Sequence, residues 1–252
     1  MSDAPASTRR AVQLGLMLAI VGTAGAAAAQ GDGGSGGQSF ASAFFVSRRA
    51  VGNEWQLELL GSLIIWLLLA LSMLSIGLIG HMALTNQRKS ILPEGVLRES
   101  GELLRAGKFK EAVALVSQDQ SFFSRVLTAG LTEAPHGYGA MIRSLELTSD
   151  QHTTERLRRI EYLNVLGQVA PMIGLFGTVY GMILAFYSIV SAGGDANPVQ
   201  LAGGIGTALV TTFWGLIVAI PALAGYAIVR NKIDALTAEA TQAAEELLNQ
   251  FR

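Results

Sequence analysis

Three long apolar segments alternate with polar stretches along the chain. They are Leu59–Gly80, Val165–Val190 and Leu201–Val229, and none of them contains a charged residue. The core of a bilayer needs about 20 residues of helix, so each segment predicts a transmembrane helix. With flanking residues included, we predict spans at 58–80, 161–190 and 201–229.

The polar stretch 81–160 has the pattern of a small helical domain. Apolar residues recur at helical spacing in Leu97–Leu104 and Phe109–Val116, on either side of a break at Ala106-Gly107-Lys108. A second break precedes Met141, from which a helix is expected to run directly into the second span. The predicted fold class is therefore an all-α membrane protein with a helical domain between its first and second spans.

The N-terminus has the features of a secretory signal peptide. Arg9-Arg10 precedes an apolar run, and Ala27-Ala28-Ala29 provides an A-x-A cleavage site, which predicts a signal peptide over 1–29. An uncleaved signal anchor is the alternative, and both interpretations place Gln30 outside the cytoplasm. The Gly-rich segment 30–57 is then periplasmic and begins with a flexible linker.

The distribution of basic residues predicts the topology. Lys and Arg are frequent in 81–160, absent from 191–200, and present again in 230–252. By the positive-inside rule, the helical domain and the C-terminal tail 230–252 are cytoplasmic and 191–200 is a periplasmic loop. Arg156, Arg158 and Arg159 precede the second span, where they serve as topological anchors or, alternatively, as an acidic-lipid site.

Composition agrees with a membrane protein and removes several kinds of chemistry. Half of the 252 residues are hydrophobic, 15% are charged, and there is no Cys, which excludes disulfides and zinc–thiolate sites. A net charge of −1 gives no reason to expect nucleic-acid binding. His81, His136 and His152 lack metal-ligand spacing, and no nucleophile–base pair stands out. We therefore expect neither an enzyme nor a bound cofactor or metal.

The last two spans carry small residues and prolines where a lipid-facing helix would use Leu. Glycines at helical spacing allow two backbones to approach closely. The prolines each delete a backbone hydrogen bond and need surroundings that tolerate the loss. We predict helix packing for Gly174, Gly177, Gly181, Gly215, Pro171 and Pro221.

Four threonines lie near the middle of these spans: Thr178, Thr207, Thr211 and Thr212. A single threonine can satisfy its hydroxyl on the preceding turn of its own helix. Several threonines from two adjacent helices can also line a narrow hydrated path. The spacing alone leaves both interpretations open.

Two stretches resemble the TolQ/ExbB proton-channel family, which is related to MotA. Ala170–Met182 reads APMIGLFGTVYGM and is similar to the family's AP-hydrophobic-GLxGTVxGM signature, and Gly204–Ala222 is similar to its last helix. The order of spans matches as well. Thr178 and Thr212 match the family's pore-facing threonines, whereas Thr211 has no such match. We therefore predict that Thr178 and Thr212 line a proton pathway, with Thr207 and Thr211 as further candidates.

The resemblance implies a ring, usually a pentamer, in the bacterial inner membrane. Such a ring encloses the single transmembrane helices of an ExbD/TolR-like partner. Protons flow down their gradient, and the work reaches a TonB/TolA-like protein that spans the periplasm. The client pathway is not specified by these motifs.

One departure concerns the titrating group. Family members commonly carry Glu at the position of Thr207, and here no carboxylate lies between Glu161 and Asp195. A mid-membrane relay needs a group that gains and loses a proton, so a partner must supply the carboxylate. Two alternatives stay open, namely a non-conducting membrane scaffold and a MotA-like stator for motility.

Overall fold

The computed structural model describes residues 45, 48–51, 54–57, 59–195 and 197–251. The predicted signal peptide and most of the Gly-rich segment lie outside these described residues. Within that segment, β1 (Arg48–Val51) and β2 (Glu54–Leu57) form an antiparallel hairpin in which Arg48 pairs with Leu57. The hairpin was not among the elements predicted from the sequence.

The rest of the described chain is helical, which confirms the all-α fold class. The helices are α1 (Leu59–Thr85), α2 (Arg88–Ile91), α3 (Glu94–Arg105), α4 (Phe109–Gln118), α5 (Phe122–Thr132), α6 (Tyr138–Ser191) and α7 (Pro198–Leu248). Short 3₁₀ turns occupy Ala134–His136 and Asn249–Phe251.

Three of these helices, α1, α6 and α7, are long and apolar enough to cross a membrane, as predicted. Helix α6 has 54 residues, and at about 1.5 Å per residue it extends for about 80 Å. That length exceeds the roughly 30 Å of a bilayer core, so the helix continues well beyond its apolar part. The chain is a multi-pass membrane protein.

Glycines end two of the helices. Gly107 after α3 and Gly193 after α6 have positive φ values of 73° and 64°, a conformation that glycine adopts without a steric penalty. Their amides donate to the carbonyls of Leu104 and Val190, both at 3.1 Å, which satisfies acceptors in the last turn. At the start of α7, Asn197 Oδ1 accepts from the amide of Val199 at 2.9 Å and caps the helix.

The chain divides into two compact units. The first, here the paired-span unit, comprises residues up to Ala70 together with Pro171–Leu216, and the second, the helical-domain unit, comprises Leu71–Ala170 together with Ile217–Arg252. Both boundaries in the C-terminal half fall inside helices, so α6 and α7 each contribute to both units.

The helical-domain unit has a core of large apolar side chains. Phe122, Phe123 and Leu127 of α5 are buried, and Met141 and Leu145 of α6 are buried with them. The C-terminal part of α7 completes this core through Leu236, Ala240, Ala244 and Leu248. The predicted tail is therefore a helix whose apolar face packs into the same core as α5.

A smaller apolar cluster joins the end of α1 to α6 and α7 within the same unit. It contains Met82, Ile160, Leu163, Val229 and Ile233, all buried. This cluster holds together the three helices that continue into the apolar segments.

Candidate functional site

In the paired-span unit, α6 and α7 approach each other to backbone contact. A Cβ atom placed on Gly181 would lie 2.6 Å from the carbonyl oxygen of Gly204 and 2.8 Å from the amide of Ala208. A Cβ on Gly174 would lie 2.9 Å from the carbonyl oxygen of Thr211. Real Cβ atoms do not come this close to backbone, so glycine is needed at both positions.

The other residues predicted for helix packing have the following positions. Gly177 and Gly215 are buried, and Gly215 Cα would lie 3.3 Å from a Cβ on Gly174. Pro171 and Pro221 are half-buried and lie inside α6 and α7, which continue through them.

The hydroxyls of Thr178 on α6 and Thr212 on α7 are directly hydrogen-bonded to each other. Thr178 Oγ1 also lies 3.2 Å from the carbonyl oxygen of Gly174 and 3.1 Å from that of Ala208. Thr212 Oγ1 reaches the same two carbonyls at 3.5 Å and 3.3 Å. Four oxygen atoms from two helices therefore form one cluster, here called the threonine pair site.

This cluster has more acceptors than protons. Each threonine hydroxyl carries one proton and two acceptor lone pairs, so two hydroxyl protons serve four oxygens. If each hydroxyl donates to a carbonyl, no proton remains for the contact between the hydroxyls. The site can therefore accept a hydrogen bond from an outside donor, such as water or a protonated carboxyl group. Both threonines are half-buried, which leaves them partly accessible.

The two remaining threonines are placed differently. Thr211 is buried, and its Oγ1 donates to carbonyls of its own helix, those of Thr207 at 3.1 Å and Ala208 at 3.0 Å. The Thr211 side chain packs directly against Gly177. A Cβ atom added to Gly177 would lie 2.5 Å from the Cβ of Thr211. Thr207 is also buried, and its Oγ1 lies 3.1 Å from the carbonyl oxygen of Gly203. Thr211 therefore shares the Ala208 carbonyl with the threonine pair site, but in these contacts neither Thr207 nor Thr211 is bonded to the hydroxyl of Thr178 or Thr212.

The two apolar segments that contain the threonine pair site have no charged residue. The spans hold no Asp or Glu between Glu161 and Asp195, and none from Pro198 until Asp234. A threonine hydroxyl does not titrate usefully, so the site can orient or relay a proton but cannot store one. Within the described ranges, no group of His, Asp and Glu side chains could hold a metal ion.

Sequence reasoning missed Gly204 and the two shared carbonyls. Gly204 and Ala208 form a small-xxx-small pair on α7, a spacing that is typical of close helix contacts and would have identified Gly204. The carbonyls of Gly174 and Ala208 have no sequence signature, because any residue supplies one. Their role depends on how the two helices are placed against each other.

The chain is similar to several known proteins. A model of the MotA/TolQ/ExbB proton channel family matches residues 118–242, a range that includes α5, α6 and the threonine pair site. The chain is a member of this family. The biopolymer transport protein exbB1 of Vibrio cholerae is 41% identical over 66 residues, which is 26% of this chain and 29% of that protein.

A second relative and one solved structure extend the comparison. The ExbB homologue of Methanothermobacter thermautotrophicus is 30% identical over 133 residues, which is 53% of this chain and 47% of the relative. These matches span less than half the length of either relative. MotAB of C. jejuni has a similar fold, with a TM-score of 0.52 over 77% of this chain and 79% of that one at 20% identity.

Proposed function

We propose that this family member is an ExbB/TolQ-like subunit of a complex driven by the proton-motive force in the bacterial inner membrane. Several copies, expected to be a pentamer, surround the single-span helices of an ExbD/TolR-like partner. Proton flow through this assembly powers transport or envelope processes through a TonB/TolA-like protein. Membrane lipid surrounds the ring.

The observation that carries the proposal is the threonine pair site. Thr178 and Thr212 place two hydroxyls and two carbonyls together in the uncharged spans of α6 and α7. A carboxyl group on a partner helix could donate a proton into this cluster when protonated and accept one when ionised. The chain supplies the hydrogen-bonding half of a proton path, and the partner supplies the titrating half.

The first experiment asks whether such a partner exists. The complex is purified gently from its own membranes, its native mass is measured, and its components are identified. A multimer that holds a smaller protein with one span and an intramembrane Asp supports the proposal. A multimer without any such protein leaves no titrating group at mid-membrane, which favours the non-conducting scaffold.

The second experiment tests the threonine pair directly. In proteoliposomes containing the complex, Thr178→Val should lower proton flux to below about one tenth of wild type, because the hydroxyl that bridges the helices is lost. Flux is followed with a pH-sensitive dye under an imposed membrane potential, and assembly is checked by native mass.

Thr211→Val is the matched control, because the Thr211 hydroxyl donates to carbonyls of its own helix, including that of Ala208, and in these contacts does not join the two helices as the hydroxyl of Thr178 does. We expect it to keep more than about half of the flux. Wild-type flux in Thr178→Val would eliminate the pore assignment. A charged cytoplasmic surface that binds a rotor protein would instead indicate a MotA-like stator.

A further inference from the structure

The helical-domain unit contains a cavity of about 390 Å³ that the proton path does not use. It is lined by the end of α1, the start of α5 and the middle of α6, together with short connecting segments. Its volume is within the range of sites that bind small molecules. Its lining contains both basic and apolar side chains.

Three arginines belong to the lining: Arg125 of α5 and Arg156 and Arg159 of α6. Arg156 is half-buried, and its Nη1 donates to Asn86 Oδ1 at 3.1 Å, which holds the guanidinium at the cavity wall. An arginine fork of this kind fits phosphate and carboxylate oxygens. His81 and His152 line the cavity as well.

The cavity lining has more positive than negative side chains, with three arginines and one glutamate. Glu155 is the one carboxylate in the lining, and it is bonded to Arg159 at 2.5 Å. In the part of the chain that the structure describes, no carboxylate forms a salt bridge with Arg125 or Arg156. Burial lowers the pKa of Arg156, and the nearby charges of Arg159 and Arg125 lower it further. An anion in the cavity would relieve this repulsion.

The cavity also has an apolar part. Leu78 and Met82 at the end of α1 and Ile160 of α6 line it, and both Met82 and Ile160 are buried. In the sequence, these residues lie where the first predicted span ends and the second begins. A phosphate that carries an apolar tail would contact both the arginines and the apolar side chains.

We propose that this cavity binds the phosphate group of an anionic ligand through Arg125 and Arg156. A phospholipid head group and a soluble phosphate share this chemistry, and the experiment below distinguishes them. The proposal is independent of proton conduction. It separates the basic residues before the second span into two kinds, because Arg156 and Arg159 line the cavity whereas Arg158 is exposed and does not.

The test uses the full-length protein, delipidated in neutral detergent. Binding of phosphatidylglycerol, phosphatidylcholine and inorganic phosphate is measured by native mass spectrometry and by the shift in Tm. We expect phosphatidylglycerol to bind about tenfold more tightly than phosphatidylcholine, because both lipids carry a phosphate but the arginines repel the choline cation of phosphatidylcholine. The double variant Arg125→Gln/Arg156→Gln should lose this preference.

Arg158→Gln is the matched control, because it removes the same charge from the same helix two residues away. It should change the affinity for phosphatidylglycerol by less than about twofold. Competition by inorganic phosphate would identify a soluble ligand as the source, and its absence would identify lipid.

Two results would overturn the proposal. One is a wild-type protein that does not prefer phosphatidylglycerol to phosphatidylcholine and does not bind phosphate. The other is an equal loss of affinity in Arg158→Gln and in the double variant, which would show general attraction to a basic surface. Arg125→Lys/Arg156→Lys keeps both charges and replaces the Gln variant if that variant fails to fold.

Discussion

The two units of this chain bring their helices together in different ways. In the paired-span unit, the contact between α6 and α7 is made by backbone, with Gly181 facing Gly204 and hydroxyls from Thr178 and Thr212 joined across it. In the helical-domain unit, the contact is made by large side chains such as Phe123, which is fully buried.

This difference follows from the solvent. In water, the burial of large apolar side chains lowers the free energy of the folded state, so the core of a water-soluble domain is typically filled with residues such as Phe and Leu. Lipid tails are as apolar as Leu and give no such reward, so membrane helices associate through close packing of small residues and hydrogen bonds. Helices α6 and α7 contribute to both units, so each has one part packed through small residues and another part packed through large side chains.

The largest expected effect on stability comes from placing a side chain where α6 and α7 now have backbone contact. Gly181→Leu would force Cβ into the backbone of α7, where the nearest atom is 2.6 Å away. Because backbone cannot shift as a side chain can, we expect loss of about 3 kcal/mol or more and little assembled protein. The yield of monodisperse protein in detergent measures this. Gly206→Ala is the control, because nothing lies within 4 Å of its added Cβ, and it should assemble normally.

The corresponding change in the helical-domain unit removes volume. Phe123→Ala should lower the free energy of unfolding by about 4 kcal/mol, because a fully buried aromatic ring leaves a cavity in the core. Denaturant unfolding followed by circular dichroism gives this value. A loss below about 1 kcal/mol would contradict the view that this unit depends on large side chains.

A smaller effect concerns the start of α5. Ser121 and Ser124 hydroxyls donate to Asp119 Oδ2 at 2.5 and 2.6 Å, and the amide of Ser124 donates to Ser121 Oγ at 3.2 Å. Burial raises the pKa of Asp119, but these hydrogen bonds outweigh it and leave the pKa below its ordinary value of 3.8. Its stabilising contribution is therefore complete above pH 3.8 and is lost as pH falls through the lower, folded pKa.

Asp119→Asn should accordingly cost about 0.5–1 kcal/mol near neutral pH. The difference in unfolding free energy between wild type and variant should shrink as pH falls below 3.8. Measurement of this difference across the acid range checks the sign. A difference that grows on acidification would contradict the assignment of a lowered pKa.

The smallest expected effect contrasts a glycine in the helical-domain unit with Gly181. A Cβ on Gly101 would lie 3.2 Å from Leu247 Cδ2, the end of a flexible side chain. Gly101→Ala should therefore be neutral or stabilising by up to about 1 kcal/mol, since alanine favours the helix. A shift in Tm measures it. A large destabilisation would show that the side chain of Leu247 cannot move aside for the added methyl group.

The sequence by itself was sufficient for the three long helices and for the family. A membrane span can be predicted from a long run of uncharged apolar residues, because charged and unpaired polar groups are costly in the bilayer core. The family can be predicted because its motif at Ala170–Met182 is contiguous in the chain. The break between two helices at Gly107 could also be predicted from the sequence, because a helix often ends at a residue with a left-handed conformation and glycine is favoured there.

Only the tertiary structure decided how these elements meet. It joined Thr178 to Thr212 and placed Thr211 against Gly177, although all were equal candidates by spacing. It also placed Leu248 in the core with α5, although 230–252 had the sequence of a separate tail. Such contacts depend on the rotation and spacing of helices that are distant in the chain, and a local pattern does not contain either quantity.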